Sequence, residues 1–281
     1  LNQEQQFYRL WAGRLPAVAI KEKNMALMKT SNPVLNGKAF ESSPITRYGG
    51  GIVDTSRMTL TGTVNKTGIL LLCVVASAAW TWSLFTQSHD AADVALPMMA
   101  GLIGGLIVAL MTTFKPAWSP VTAPIYALLE GMVLGGISAF LNASYPGIAI
   151  QAVGLTFGTL LALLLAYRSG LIPVTAKLRM GIAAATGGIC LFYMISMLLS
   201  LFHLNMGSSL IYGSGIIGIG FSLFVVAIAA LNLVLDFDFI ERGAAAGAPK
   251  YMEWYGAFGI IVTLVWLYLE ILRLLSKLRR R

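Results

Sequence analysis

The stretch YGAFGIIVTLVWLYLEILRLLS, residues 255–276, carries no charge except Glu270 and Arg273. Its length is what one α-helix needs to cross about 30 Å of hydrocarbon, roughly 20 residues at 1.5 Å each. Apolar and polar residues do not alternate in it, so it does not read as a strand of a membrane barrel. A helix satisfies its own backbone hydrogen bonds, which lipid cannot do. Working outward, six further runs of similar length precede it, at 68–86, 95–114, 122–142, 147–167, 181–202 and 211–235. The breaks between runs carry turn chemistry, as in QSHDAAD, KPAWSP, NASYPG and ERGAAAGAPK.

The composition of the 281-residue chain agrees, with 57% hydrophobic and 11% charged residues. A soluble domain carries about a quarter charged residues, so a soluble core, a disordered chain and a disulfide-stapled secreted domain are all excluded. The sequence therefore predicts an all-α, polytopic membrane helical bundle with seven transmembrane helices over 66–281. A polar, partly disordered tail over 1–65 precedes it.

The net charge of +8 comes from basic residues gathered in the tail and loops. That pattern reads as membrane orientation and attraction to anionic headgroups of the lipid bilayer, with no nucleic acid as partner. Nine Lys and Arg precede the first span, and the loops that follow alternate between few and none. The alternation predicts a cytoplasmic N-terminus. The ending RLLSKLRRR then conflicts with an odd number of spans, and the side of the C-terminus stays open.

Three GxxxG pairs, Gly101–Gly105, Gly131–Gly135 and Gly154–Gly158, predict close helix contacts. Cys73 and Cys190 read as small core residues, and Trp80, Trp82, Trp254 and Tyr255 as interface anchors. No HExxH, GxSxG or P-loop is present, and His89 and His203 fall in loops. The chain does not read as an enzyme.

Acids inside the membrane cost roughly 2.5–3.5 kcal/mol each and are functional candidates for that reason. Glu130 lies mid-span in YALLEGMVLGG, with Tyr126 one turn before it. Asp236 and Asp238 close the sixth run in NLVLDFDFIERG, and Glu270 lies late in the seventh. Two residues apart on a helix is about 200°, so Asp236 and Asp238 cannot share a face. Asn232 continues the stripe of Asp236 into the membrane, whereas Asp238 aligns with Glu241 and Arg242 in an interfacial cluster. Glu270 has two readings. One is an ion pair with Arg273; the other is an inward acid that shares a proton with a second acid, such as Asp236. In its ionised form such a site, with Asp238 as a further donor, offers the hard oxygens that Ca²⁺ prefers. If the seventh helix starts at Lys250, Glu270 lies about 30 Å along it, far from an Asp236 at the membrane edge. Glu253 or Glu241 is then the alternative partner.

Five stretches carry a family resemblance: SNPVLNGKAF (31–40), APIYALLEGMVLGGIS (123–138), YRSGLIPVTAKLR (167–179), ALNLVLDFDFIERG (230–243) and the block from 248 to 278. Through them the chain resembles the Bax inhibitor-1 family, the transmembrane Bax-inhibitor-motif proteins, in a bacterial subgroup. The resemblance implies seven helices with the last one central, in a bacterial inner membrane. It implies a pH-sensitive calcium leak gated by two acids, which fall here on Asp236 and on Glu270 within LYLEI, with Lys115 as the basic latch. The alternative use it implies is a non-conducting protein that binds and modulates a membrane-anchored AAA protease.

Overall fold

The computed structural model describes residues 57–88, 90–202 and 213–280; His89, His203 and the tail through residue 56 lie outside them. Among the described residues there are seven long helices: α1 (Leu60–Ser88), α2 (Ala91–Phe114), α3 (Ser119–Ser144), α4 (Ile148–Arg168), α5 (Ala176–Leu201), α6 (Ile216–Ala245) and α7 (Met252–Arg279). All seven are long and apolar enough to cross a membrane. A 3-10 turn, Pro116–Trp118, links α2 to α3.

Local chemistry sets the ends. The Asp90 carboxylate accepts from the backbone N–H of Ala92 to open α2, and the Thr175 hydroxyl does the same for Leu178 at the start of α5. Gly147 takes φ 81° before α4, a conformation that costs glycine nothing. Two helices overrun one end of their apolar runs the furthest. α1 opens at Leu60, and α6 continues through the charged residues DFDFIER to Ala245. Asp236 therefore does not close the sixth helix. It lies nine residues from its end, about 14 Å inside.

α7 packs against α1, α3, α4 and α6, and Tyr193 reaches it from α5. It is the most enclosed helix, with 61% of its apolar window buried. α2 packs outside, on α3 and α1. α6 and α7 run antiparallel in a fixed register. Asp236 meets Thr263 at one level, and two heptads away Ser222 meets Lys277. The level between them sets Glu270 opposite Ala229, a small and fully buried residue.

The glycine pairs divide. A Cβ on Gly131 would overlap Ser77 and the Val74 backbone of α1, and one on Gly101 would overlap the Leu129 backbone of α3. Those pairs are true close approaches. Among the described residues nothing lies within 4 Å of a Cβ on Gly154 or Gly158, so that pair is no close approach between the described helices. Two further expectations fail: Cys190 is exposed on α5, not in the core, and Tyr255 is buried and packs on Phe258.

Candidate functional site

Three of the buried polar residues of α7 lie on one stripe. Thr263, Glu270 and Lys277 recur every seven residues, which returns to nearly the same face with a drift of about 20°. Each reaches a different partner.

Thr263 meets Asp236, which is fully buried. The Thr263 hydroxyl donates to Asp236 Oδ2 at 2.6 Å and also has the Gly259 carbonyl within 3.2 Å. A hydroxyl has one proton and can also accept. When Asp236 is ionised, Thr263 gives its proton to the carboxylate. When Asp236 is protonated, the acid donates to Thr263, and the Thr263 proton turns to Gly259. Both states keep the pair hydrogen-bonded, which lets an acid at this depth change charge without orphaning its neighbour. One turn earlier, Asn232 donates to Thr186 Oγ1 of α5 at 2.8 Å and to the Ile228 carbonyl at 2.9 Å.

Glu270, 2% exposed, is held differently. Arg273 Nη1 donates to Glu270 Oε1 at 2.7 Å and to the Tyr193 hydroxyl at 2.6 Å. Tyr193 in turn donates to the same Oε1 at 3.1 Å. Oε2 is buried and has no hydrogen-bond partner among the described residues. Lys277, also buried, donates to the Gly218 carbonyl at 2.9 Å and to Ser222 Oγ at 2.7 Å. A carbonyl and a hydroxyl in the first two turns of α6 thus hold its ammonium inside the bundle.

Asp236, at the level of Thr263, and Glu270 therefore lie along one face of α7 at levels seven residues apart, about 10 Å along the axis. The structure brings both to the α6–α7 seam but gives them no shared hydrogen bond. The 30 Å separation expected from the sequence shrinks because α6 runs past Asp236. α7 is unbroken from Met252 to Arg279, with no kink at Gly256 or Gly259 needed.

The other candidates lie elsewhere. Asp238, near the end of α6, pairs with Arg242 at 3.0 Å and with Arg179 of α5 at 3.1 Å. Glu241 accepts from the Tyr167 hydroxyl of α4. Glu130 lies beside Tyr126, and its Oε2 is 3.4 Å from where a Cβ on Gly105 would stand, so it faces α2. Lys115 is exposed and its ammonium sits 4.4 Å from the centre of the Trp118 ring, so it latches neither acid here. Glu253, fully buried, ties the start of α7 to α1. It accepts from Thr59 N and Oγ1 at 2.8 Å each, from Lys250 at 2.9 Å and from Lys66. Among the described residues, no three His, Cys, Asp or Glu gather as a metal-holding group.

Sequence reasoning missed Tyr193, Arg179 and Lys277 as partners. The heptad of Thr263, Glu270 and Lys277 was legible. The α5 contacts were not, because they join helices remote in sequence.

No curated protein and no solved structure matches this chain. A family match does exist and runs over residues 21–280, nearly the whole sequence. This seven-helix membrane protein, with its enclosed last helix, belongs to the Bax inhibitor 1 like family.

Proposed function

We propose that this protein is a proton-regulated cation leak across a bacterial inner membrane, with calcium as its cargo. The observation that carries the reading is Asp236, fully buried about two-thirds of the way along α6 and hydrogen-bonded to Thr263 of the central helix. A charge there is expensive, so it is retained for what its ionisation does. In its protonated form the acid suits a dry, closed α6–α7 seam. Ionised, it favours water and a cation at the same place, so flux rises with pH. Calcium passes rather than resides, since an ion held for long needs six to eight oxygens.

Glu270 takes a supporting part. Its ion pair with Arg273 holds Tyr193, and with it α5, against the lower half of the seam. The proton response is therefore assigned to Asp236 alone, unlike the shared-proton pair that the family resemblance implies.

The test is calcium flux through purified protein in liposomes between about pH 6 and about pH 8. The expected result is flux that rises with pH in the native chain and loses that dependence in Asp236→Asn. Glu270→Gln keeps the direction of the response. An identical pH profile in Asp236→Asn refutes the reading.

A further inference from the structure

A groove of about 840 Å³ opens between α1 and α4, with α6 and α7 as its floor. Val64 and Leu165 form its walls and are 68% and 69% exposed, so the groove faces lipid from the side. Ile240 and Ile260 line its floor, which keeps the interior apolar. It spans Leu160 to Arg168 of α4, about 12 Å along the axis and close to the half-thickness of the hydrocarbon.

One end of the groove is charged. Arg168, the last residue of α4, is exposed, and no ion pair or hydrogen bond engages its side chain among the described residues. The acids at this mouth are already occupied. Asp238 holds Arg179 and Arg242, and Glu241 holds Tyr167. Three arginines against two acids leave the mouth positive, with Arg168 as the cation available to a ligand.

A positive rim over an apolar slot open to the bilayer fits a ligand with an anionic head and a hydrocarbon tail. We propose that this groove binds an anionic phospholipid, its phosphate on Arg168 and the upper part of one acyl chain between α1 and α4. The site is separate from Asp236 and does not depend on ion conduction. Its occupant would bridge two helices that flank α6 and α7 on either side.

Native mass spectrometry of the full chain in detergent tests this, with phosphatidylglycerol and phosphatidylethanolamine of identical acyl chains as probes. Phosphatidylglycerol is expected to bind more tightly. Arg168→Gln should weaken it about fivefold, the effect of one basic residue near the headgroups, and should weaken phosphatidylethanolamine less, because its ammonium offsets the same phosphate. Val64→Trp, which fills the slot from an exposed position, should weaken both lipids. Glycerol 3-phosphate, the head without a tail, should not compete. Helical content by circular dichroism verifies that both variants fold. Equal affinity for the two lipids, an intact preference in Arg168→Gln, or competition by glycerol 3-phosphate would each overturn the proposal.

Discussion

Helices α5 and α7 are similar in length and both apolar enough to span a membrane, yet their surroundings are opposite. In α7, 61% of the apolar window is buried; in α5, 11% is. Both would be identified as spans by the same arithmetic. What separates them is where the polar groups fall. α7 carries Thr263, Glu270 and Lys277 on one stripe, each answered by a neighbour. α5 offers lipid a face of Leu191, Met194 and Leu198, and its polar groups that reach inward are Arg179, Thr186 and Tyr193. Average hydropathy places a helix in the membrane, and polar spacing places it in the bundle.

This contrast can be broken at several points. The largest effect is expected at Arg273→Ala, which leaves Glu270 buried without its cation. Removing one partner of a buried pair costs about 3–5 kcal/mol, measurable as lost thermal stability in detergent. Adding Glu270→Gln to that variant should restore much of the loss. If Arg273→Ala is neutral, the lower half of α7 is not enclosed as described.

Glycines on the two helices give a second comparison. A Cβ on Gly256 of α7 would stand 3.0 Å from Ile240 Cγ1 and 3.4 Å from Thr63 Cγ2. Gly256→Ala should therefore cost about 1 kcal/mol by overpacking. Gly188 of α5 has nothing within 4 Å, so Gly188→Ala should instead stabilise, by about 0.5 kcal/mol through reduced chain entropy. Melting midpoints of opposite sign are the readout. Asn232→Ala removes the hydrogen bond to Thr186 and should cost about 0.6 kcal/mol, the usual size for such bonds in membranes. Smallest of all is Met194→Ala on the lipid face of α5, expected within about 0.5 kcal/mol of the parent.

The seven spans were legible because each is a run of the length that a bilayer demands. Their ends were less so. The charged residues after Leu235 look like a membrane exit, but Arg179 and Arg242 neutralise Asp238 and the helix continues to Ala245. That error put Asp236 at the end of its helix and exaggerated its distance from Glu270. The ion pair of Glu270 with Arg273 could be read from their i, i+3 spacing, and the pair of Asp238 with Arg242 from i, i+4. Contacts across helices, such as Tyr193 with Glu270 and Lys277 with Ser222, depend on which helix lies beside which. No pattern within one span encodes that. The conflict over the basic C-terminus also has a physical side: Lys277 bonds inside the bundle to Ser222, and Arg279 and Arg280, though exposed, bond to Pro146 and Tyr145 between α3 and α4. Counting them as free loop charges overstates their pull on topology.

The central claim is that the Asp236 carboxyl gains and loses a proton while it stays inside the bundle. Infrared difference spectroscopy between about pH 6 and about pH 8 reads this directly, through the C=O stretch of a protonated carboxyl. The account predicts that this band disappears on going to high pH in the native chain and is missing from the difference spectrum of Asp236→Asn. The same carboxyl band in Asp236→Asn, or no carboxyl change in the native chain, would contradict it.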